Sequence, residues 1–122
     1  DCIEFLGPVY GPEKYDAIES ADLFILPSVN EVFALAMLDA MACAKPCLAS
    51  HGCGYTPFAE EDFFIGFEPT PEGISAAIQE MFQRRQEWPR MGKNAKSVID
   101  RKLNWDAISR TMIDNYRRIA AG

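Results

Sequence analysis

The sequence is poor in positive charge, histidine and cysteine, and it lacks long apolar runs. Lysine and arginine number 12 against 18 acidic residues, and the formal net charge of -6 argues against non-specific nucleic-acid binding. No apolar run approaches the length of a membrane span, and no signal-peptide pattern precedes the first apolar segment. The cysteines number only 4, and two lie in apolar runs, so we expect a reducing, cytoplasmic environment.

The composition that remains is that of an ordinary folded domain. Of the 122 residues, 48% are hydrophobic and 25% are charged, values close to the averages for globular proteins. The chain is long enough to bury a core of its own. We therefore interpret residues 1–122 as a single domain.

Short apolar segments alternate with helical patterns along the chain, which predicts an α/β fold with a Rossmann-like partial parallel sheet of about four strands. Helices flank this sheet and complete the C-terminal part. The predicted strands are Ile3–Gly7, Asp22–Leu26, Pro46–Ser50 and Phe63–Phe67. The predicted helices are Glu13–Ala21, a segment after Glu31 that ends near Ala44-Lys45, one that begins at Pro71-Glu72, Trp88–Lys102 and Trp105–Ala121.

The second and third strands and the helix between them form a predicted βαβ unit, which is right-handed. The loops that leave these strands, Ser28–Glu31 and His51–Gly54, must then open on the same edge of the sheet. Ligands bind at that edge in open α/β sheets. The N-terminus of the helix also points there, and its free N–H groups suit a phosphate group.

Two acids accompany this helix at an offset of eight residues. Between Val32 and Cys43 every residue is apolar except Asp39, which predicts a helix buried on several sides. A carboxylate within such a helix is costly unless something binds it. Glu31 immediately precedes the segment. We therefore treat Glu31 and Asp39 as candidate ligand-binding residues.

The surrounding residues resemble a known family. Residues 21–50 read A-D-L-F-I-L-P-S-V-N-E-V-F-A-L-A-M-L-D-A-M-A-C-A-K-P-C-L-A-S. This run resembles the donor-binding signature of GT-B glycosyltransferases, and of the retaining family 4 (glycosyl transferases group 1) in particular. Upstream, Phe5-Leu6-Gly7 resembles a family strand, and downstream Met91-Gly92, Asn104-Trp105 and Tyr116 resemble its terminal helices.

The resemblance implies roles for individual residues. Glu31 matches the first acid of the family's E-x7-E motif, which contacts the donor sugar and is the implied catalytic residue. Asp39 matches the second acid, which holds the nucleotide ribose. The chain departs from the family at Ala34, where Gly is usual, and at Asp39, where Glu is usual. The donor-binding positions implied are Ser28, Asn30, Glu31, Val32, Phe33, Ala34, Leu35 and Asp39.

The resemblance also implies the reaction and the partners. The chain corresponds to the second half of the C-terminal, nucleotide-binding domain of a hexosyltransferase that transfers sugar from a nucleotide-diphosphate sugar with retained configuration. It implies neither a cofactor nor a metal site. The family's glycine-rich loop, its paired Arg and Lys, and the N-terminal domain that binds the acceptor have no match here, so we expect the isolated chain to be inactive.

Other expectations concern assembly and location. An exposed sheet edge predicts a homodimer, and the nucleotide sugar is the expected small-molecule partner. The net charge leads us to expect no nucleic-acid partner. A peripheral association of the full-length protein with a membrane stays open.

Less specific interpretations of the same residues remain. Glu31 could be an acid favoured by the helix dipole, Asp39 could lie on an exposed strip, and Ser28 or Asn30 could cap the helix. His51 could be a general acid or base, or a loop histidine without a chemical role. The group of Cys43, Cys47, His51 and Cys53 could suggest a metal, but its spacing favours structural thiols.

An alternative function belongs to another class. The substitutions at Ala34 and Asp39, together with the missing basic residues, fit a non-catalytic α/β binding or interaction module. An unrelated dinucleotide-binding protein lacks support because the sequence contains no G-x-G-x-x-G motif.

Overall fold

A computed structural model describes residues 2–122 as an α/β fold with a parallel sheet flanked by helices. The fold class predicted from the sequence is therefore confirmed. Two short 3₁₀ segments, Thr56–Glu61 and Arg85–Glu87, connect the larger elements. In chain order the elements are α1 (Gly11–Ser20), β1 (Phe24–Leu26), α2 (Leu35–Ala42), β2 (Cys47–Ser50), β3 (Phe64–Phe67), α3 (Pro71–Gln83), α4 (Trp88–Lys102) and α5 (Trp105–Ala121).

The three strands lie in the order β1-β2-β3, and both pairs are parallel. Ile25 of β1 is opposite Leu48 of β2, which in turn is opposite Ile65 of β3. Every residue of the central strand β2 is buried. This agrees with an apolar strand covered on both faces, as parallel sheets require.

The sheet has a separate apolar cluster on each face. The first cluster joins α2 and α4 to the sheet through residues such as Met37, Met41, Phe63, Ala95 and Val98. The second cluster joins α3 and the start of α4 through Leu48, Ile65, Phe67, Met81, Trp88 and Met91. The indole N–H of Trp88 donates to the carbonyl of Met81 at 2.9 Å, so the buried ring keeps a hydrogen bond.

The predicted strand at Ile3–Gly7 is wrong. Residues 2–10 adopt no regular structure, and the side chain of Phe5 is 93% exposed. A strand needs a neighbour for its N–H and C=O groups. Within residues 2–122, β1 pairs only with β2, so the described sheet has three strands and not four.

Helix α2 is shorter and less enclosed than the sequence predicts. It begins at Leu35 and ends at Ala42, before Ala44 adopts a left-handed backbone with φ of 55°. Met37, Ala40 and Met41 are buried, whereas Leu35 is 73% exposed. Neighbouring elements therefore cover only one side of this apolar helix.

Gly92 allows α4 to approach the turn between α2 and β2. A Cβ atom at this position would lie 1.9 Å from the carbonyl oxygen of Ala44, closer than any side chain can tolerate. The contact fixes the backbone of α4 against the turn that leads into the central strand. Among residues 2–122, no helix combines the length and apolar character needed to cross a membrane.

Gly92→Ala tests the contact between α4 and Ala44, because the contact predicts that the substitution lowers the free energy of unfolding. Alanine normally stabilises a helix relative to glycine by about 1 kcal/mol. Here we expect a loss of about 1–3 kcal/mol in the free energy of unfolding, because the methyl group overlaps the Ala44 carbonyl. Urea denaturation measures the change. Lys93→Ala on the exposed side of the same helix is the control, and a Gly92→Ala variant that is more stable than wild type would contradict the contact.

The free edge of β1 tests the expected homodimer. Ile25 in the middle of this strand is 37% exposed, and the strand pairs on one side only within residues 2–122. We expect light scattering to detect a dimer at high protein concentration, and we expect Ile25→Lys to reduce the dimer fraction because charge on an edge strand disfavours pairing. A wild-type chain that stays monomeric at every concentration would contradict the dimer. Circular dichroism of the variant checks that it remains folded.

Candidate functional site

The loops that follow β1 and β2 meet at one edge of the sheet, as the predicted βαβ topology requires. The hydroxyl of Ser50, at the end of β2, donates to the carbonyl of Ser28 in the loop after β1. The sulfur of Cys53 lies 3.0 Å from the same Ser50 hydroxyl oxygen. This buried polar contact ties the two loops together where their strands end.

A second set of contacts holds the segment that leads into α2. Gly54 has φ of +71°, and a Cβ atom there would lie 1.9 Å from the carbonyl oxygen of Val32. The rings of Phe33 and Tyr55 stack with centroids 4.9 Å apart. The Tyr55 hydroxyl donates to the carbonyl of Ala34 at 2.6 Å, and burial raises the pKa of that hydroxyl above its ordinary value.

The mouth of α2 is open to solvent and has no side-chain cap. Ala34 is the residue before the helix, and no side chain of the described residues accepts a capping hydrogen bond there. The interpretation of Ser28 or Asn30 as the cap is therefore wrong for this helix. Val32 and Leu35 are 85% and 73% exposed, so a ligand could reach the first turn.

Glu31 lies half-buried beside this mouth. Its Oε1 atom accepts a hydrogen bond from the N–H of Phe33 at 3.2 Å. The bond turns the carboxylate towards its own loop, four residues before the first helical position, Leu35. Glu31 therefore lies at the sheet edge where the sequence predicts it, and among the described contacts only one of its carboxylate oxygens accepts a hydrogen bond.

Asp39 is engaged by α1, a contact that the sequence did not predict. The ammonium group of Lys14 donates to Oδ2 of Asp39 at 2.7 Å, and the hydroxyl of Tyr15 donates to Oδ1 at 3.2 Å. The Asp39 side chain is 23% exposed. The interpretation of Asp39 as an acid on an exposed strip is therefore wrong, because the carboxylate is half-buried and paired.

Three residues of this edge were missed: Lys14, Tyr15 and Tyr55. Each acts on a candidate residue through a contact across more than 20 positions of the chain. Local sequence patterns do not predict contacts between residues so far apart in the chain. For Tyr55 there was one sequence signal: it immediately follows Gly54, the last residue of the predicted ligand loop His51–Gly54.

The cysteines and the histidine occupy separate surroundings. Cys47 and Cys53 are buried, and burial raises the pKa of the Cys47 thiol, which keeps it neutral. Within residues 2–122, no three His, Cys, Asp or Glu side chains come together in a way that could hold a metal ion. His51 is exposed and lies over Gly66, where an added Cβ would be 2.7 Å from the imidazole Cε1 atom.

Comparisons with known proteins agree on one family. A family model described as "Glycosyl transferases group 1" matches residues 1–98. A D-inositol 3-phosphate glycosyltransferase of Paenarthrobacter aurescens is 26% identical over 125 residues, which cover 100% of this chain and 30% of that protein. A sulfoquinovosyl transferase of Arabidopsis thaliana is 30% identical over 122 residues, which cover 96% of this chain and 24% of that protein.

A solved structure is also similar. Sucrose-phosphate synthase from Thermosynechococcus elongatus superimposes with a TM-score of 0.70 and 28% identity, over 86% of this chain and 27% of that one. The present chain thus spans less than a third of the length of each of these relatives.

The Lys14–Asp39 pair predicts a pH dependence at alkaline pH. The hydrogen bond to Asp39 is the main reason that the pKa of Lys14 is raised above its ordinary value. Because the folded state holds this proton more tightly, the pair stabilises the fold below the ordinary lysine pKa of about 10.4 and loses its effect as pH rises through the raised value.

We expect Asp39→Asn to return the Lys14 pKa towards the ordinary value and to remove this alkaline component of stability. NMR titration of the lysine side chains measures the pKa, and urea unfolding at several pH values measures the stability. Lys93, an exposed lysine on α4, serves as the internal control. An unchanged Lys14 pKa in the variant would show that the two groups are not paired in solution.

Proposed function

Because the chain belongs to the glycosyl transferases group 1 family, we propose that it forms part of the nucleotide-sugar site of a retaining GT-B glycosyltransferase. The observation that carries the proposal is the meeting of two loops at the mouth of α2. Glu31 lies beside that mouth and Asp39 lies more than one turn into α2, with the spacing of the family's acidic motif. The glycosyltransferases that match this chain support the same reaction class.

The proposed roles follow from the chemistry of each group. The N–H groups of Ala34 and Leu35 at the start of α2 would donate to the diphosphate, since a helix N-terminus carries partial positive charge. The neighbouring N–H of Phe33 donates to Glu31 in the absence of a ligand. Glu31 would accept hydrogen bonds from the donor-sugar hydroxyls and act as the catalytic residue. Asp39 would hold the ribose hydroxyls. A carboxylate that accepts from two vicinal hydroxyls forms charge-assisted bonds, which are the stronger kind.

Local donors matter here because the chain carries a net charge of -6. The overall field repels an anionic donor, so binding depends on amides and cations at the site. The family's basic residues that neutralise the leaving diphosphate have no match in these 122 residues. Transfer to an acceptor is therefore proposed for the longer protein that the relatives represent. A location in the cytoplasm and an association with a membrane surface stay predictions.

One observation favours the alternative, a non-catalytic binding or interaction module. Both oxygens of Asp39 already accept hydrogen bonds, one from Lys14 and one from Tyr15. In a non-catalytic domain, the role of Asp39 would be to hold α1 through these two hydrogen bonds. The two functions differ in whether Asp39 also contacts a nucleotide.

NMR titration of the chain with UDP, GDP and ADP, and with their sugar conjugates, tests the proposal. For a partial site we expect weak binding, with a Kd of about 1 mM, which corresponds to about -4 kcal/mol. Amide shifts should map to Glu31–Leu35 and Asp39. Because a hydrogen bond to a charged group is worth about 1.5–3 kcal/mol, Asp39→Asn should weaken nucleotide binding about tenfold or more.

Glu31→Ala should weaken the sugar conjugates more than the free diphosphates, because Glu31 is assigned to the sugar. Glu80→Ala, which removes an exposed acid on α3, is the matched control and should bind as wild type does. Binding that is unchanged in both site variants, or shifts that map away from the α2 mouth, would contradict the donor site. A chain that binds none of the nucleotides would favour the interaction module.

A further inference from the structure

Helix α1 meets the candidate site only through partly exposed groups. None of its residues is buried, and Ile18 is its one partly buried hydrophobic side chain packed against the core. Lys14 and Tyr15 both donate to Asp39, and Lys45 donates to the carbonyl of Glu19 near the end of α1 at 2.8 Å. The position of α1 therefore depends in part on the carboxylate that is assigned to the ribose.

The Lys14–Asp39 pair adds only the small, pH-dependent contribution to stability described above. The side chains of Lys14 and Asp39 are 35% and 23% exposed. Ion pairs between partly exposed groups are screened by solvent and stabilise a protein only slightly. Its main physical effect is geometric, because it fixes the direction in which the Asp39 carboxylate points.

The paired carboxylate still has capacity for further hydrogen bonds. A carboxylate offers about four lone-pair positions, and the described contacts use one on each oxygen of Asp39. The Lys14 ammonium has three N–H donors and gives one of them to Asp39. Asp39 therefore keeps unused acceptor positions next to the unused N–H donors of Lys14.

A vicinal diol matches that arrangement. Each hydroxyl of a ribose can donate to the carboxylate and accept from the ammonium, so a donor and an acceptor together bind a diol better than either alone. A fixed carboxylate matters more here because aspartate is one methylene shorter than glutamate. Tyr15 holds the second oxygen in the same way.

We propose that Lys14 is a positioning and specificity-determining residue of the nucleotide site. It holds Asp39 with free lone pairs towards the ribose diol and directs a second N–H to a ribose oxygen. Lys14 thereby makes the site prefer ribonucleotides to 2′-deoxynucleotides. The inference rests on the proposed donor site and adds α1 to it.

Lys14→Met tests this role, since it keeps the length of the side chain and removes the charge. The probes are UDP, GDP and ADP and their 2′-deoxy counterparts, titrated into the chain by NMR. We expect Lys14→Met to weaken the ribonucleotides about threefold, as suits one partly exposed charged contact, and to reduce the preference for ribose. Lys14→Arg, which retains the cation, should keep that preference.

Two further variants separate positioning from general stability. Lys96→Met removes the lysine of an exposed ion pair with Asp100 on α4 and should leave both affinities unchanged. If Lys14 acts largely through Asp39, the double variant Lys14→Met/Asp39→Asn should bind almost as Asp39→Asn does. Tyr15→Phe should have a smaller effect than Lys14→Met, because it removes a neutral donor.

The results distinguish failure of the inference from failure of the proposed function. A wild-type chain that binds nucleotides, with Lys14→Met equal to Lys96→Met, overturns the role of Lys14 and leaves the donor site in place. Tighter binding by Lys14→Met also overturns it, because Lys14 would then compete with the nucleotide for Asp39. A wild-type chain that binds no nucleotide overturns the donor site and the inference together.

Discussion

Parallel pairing of β2 with both of its neighbours directs the carboxyl ends of all three strands to one edge of the sheet. The loops that follow β1 and β2 can meet there only because the strands share that direction. The buried hydroxyl of Ser50 then joins the end of one strand to the carbonyl of Ser28 beyond the other. Without this topology, Glu31 and the loop that carries Tyr55 would lie at opposite ends of the domain.

The local elements of the fold were largely predictable from the sequence. Helices α4 and α5 begin and end where the pattern predicts. Asn104 separates them, because its side chain caps α5 by accepting from the N–H of Ala107 at 2.9 Å. The segment Ile3–Gly7 failed because alternation describes the segment alone, whereas a strand also needs a neighbour. Local pattern indicates what a segment favours, and the rest of the fold decides whether it forms.

The candidate site was also only partly predictable from the sequence. Topology predicted that the loops around Glu31 and Gly54 would share an edge, since this follows from the βαβ connection. The pairing of Asp39 with Lys14 and the bond from Tyr55 to Ala34 could not be predicted, because each joins side chains far apart in sequence. An apolar helix with one acid showed that Asp39 needs a partner, and it did not identify that partner.

The attachment of α1 has a consequence for local stability. A helix without buried residues can open while the sheet and its two apolar clusters remain intact, so its amide protons exchange with solvent at a lower free-energy cost than those of β2. Any molecule that binds only when α1 is docked raises the cost of that opening by mass action. In the proposed donor site, occupancy of Asp39 and order in α1 would therefore be linked, and hydrogen exchange in residues 11–20 would report on that occupancy.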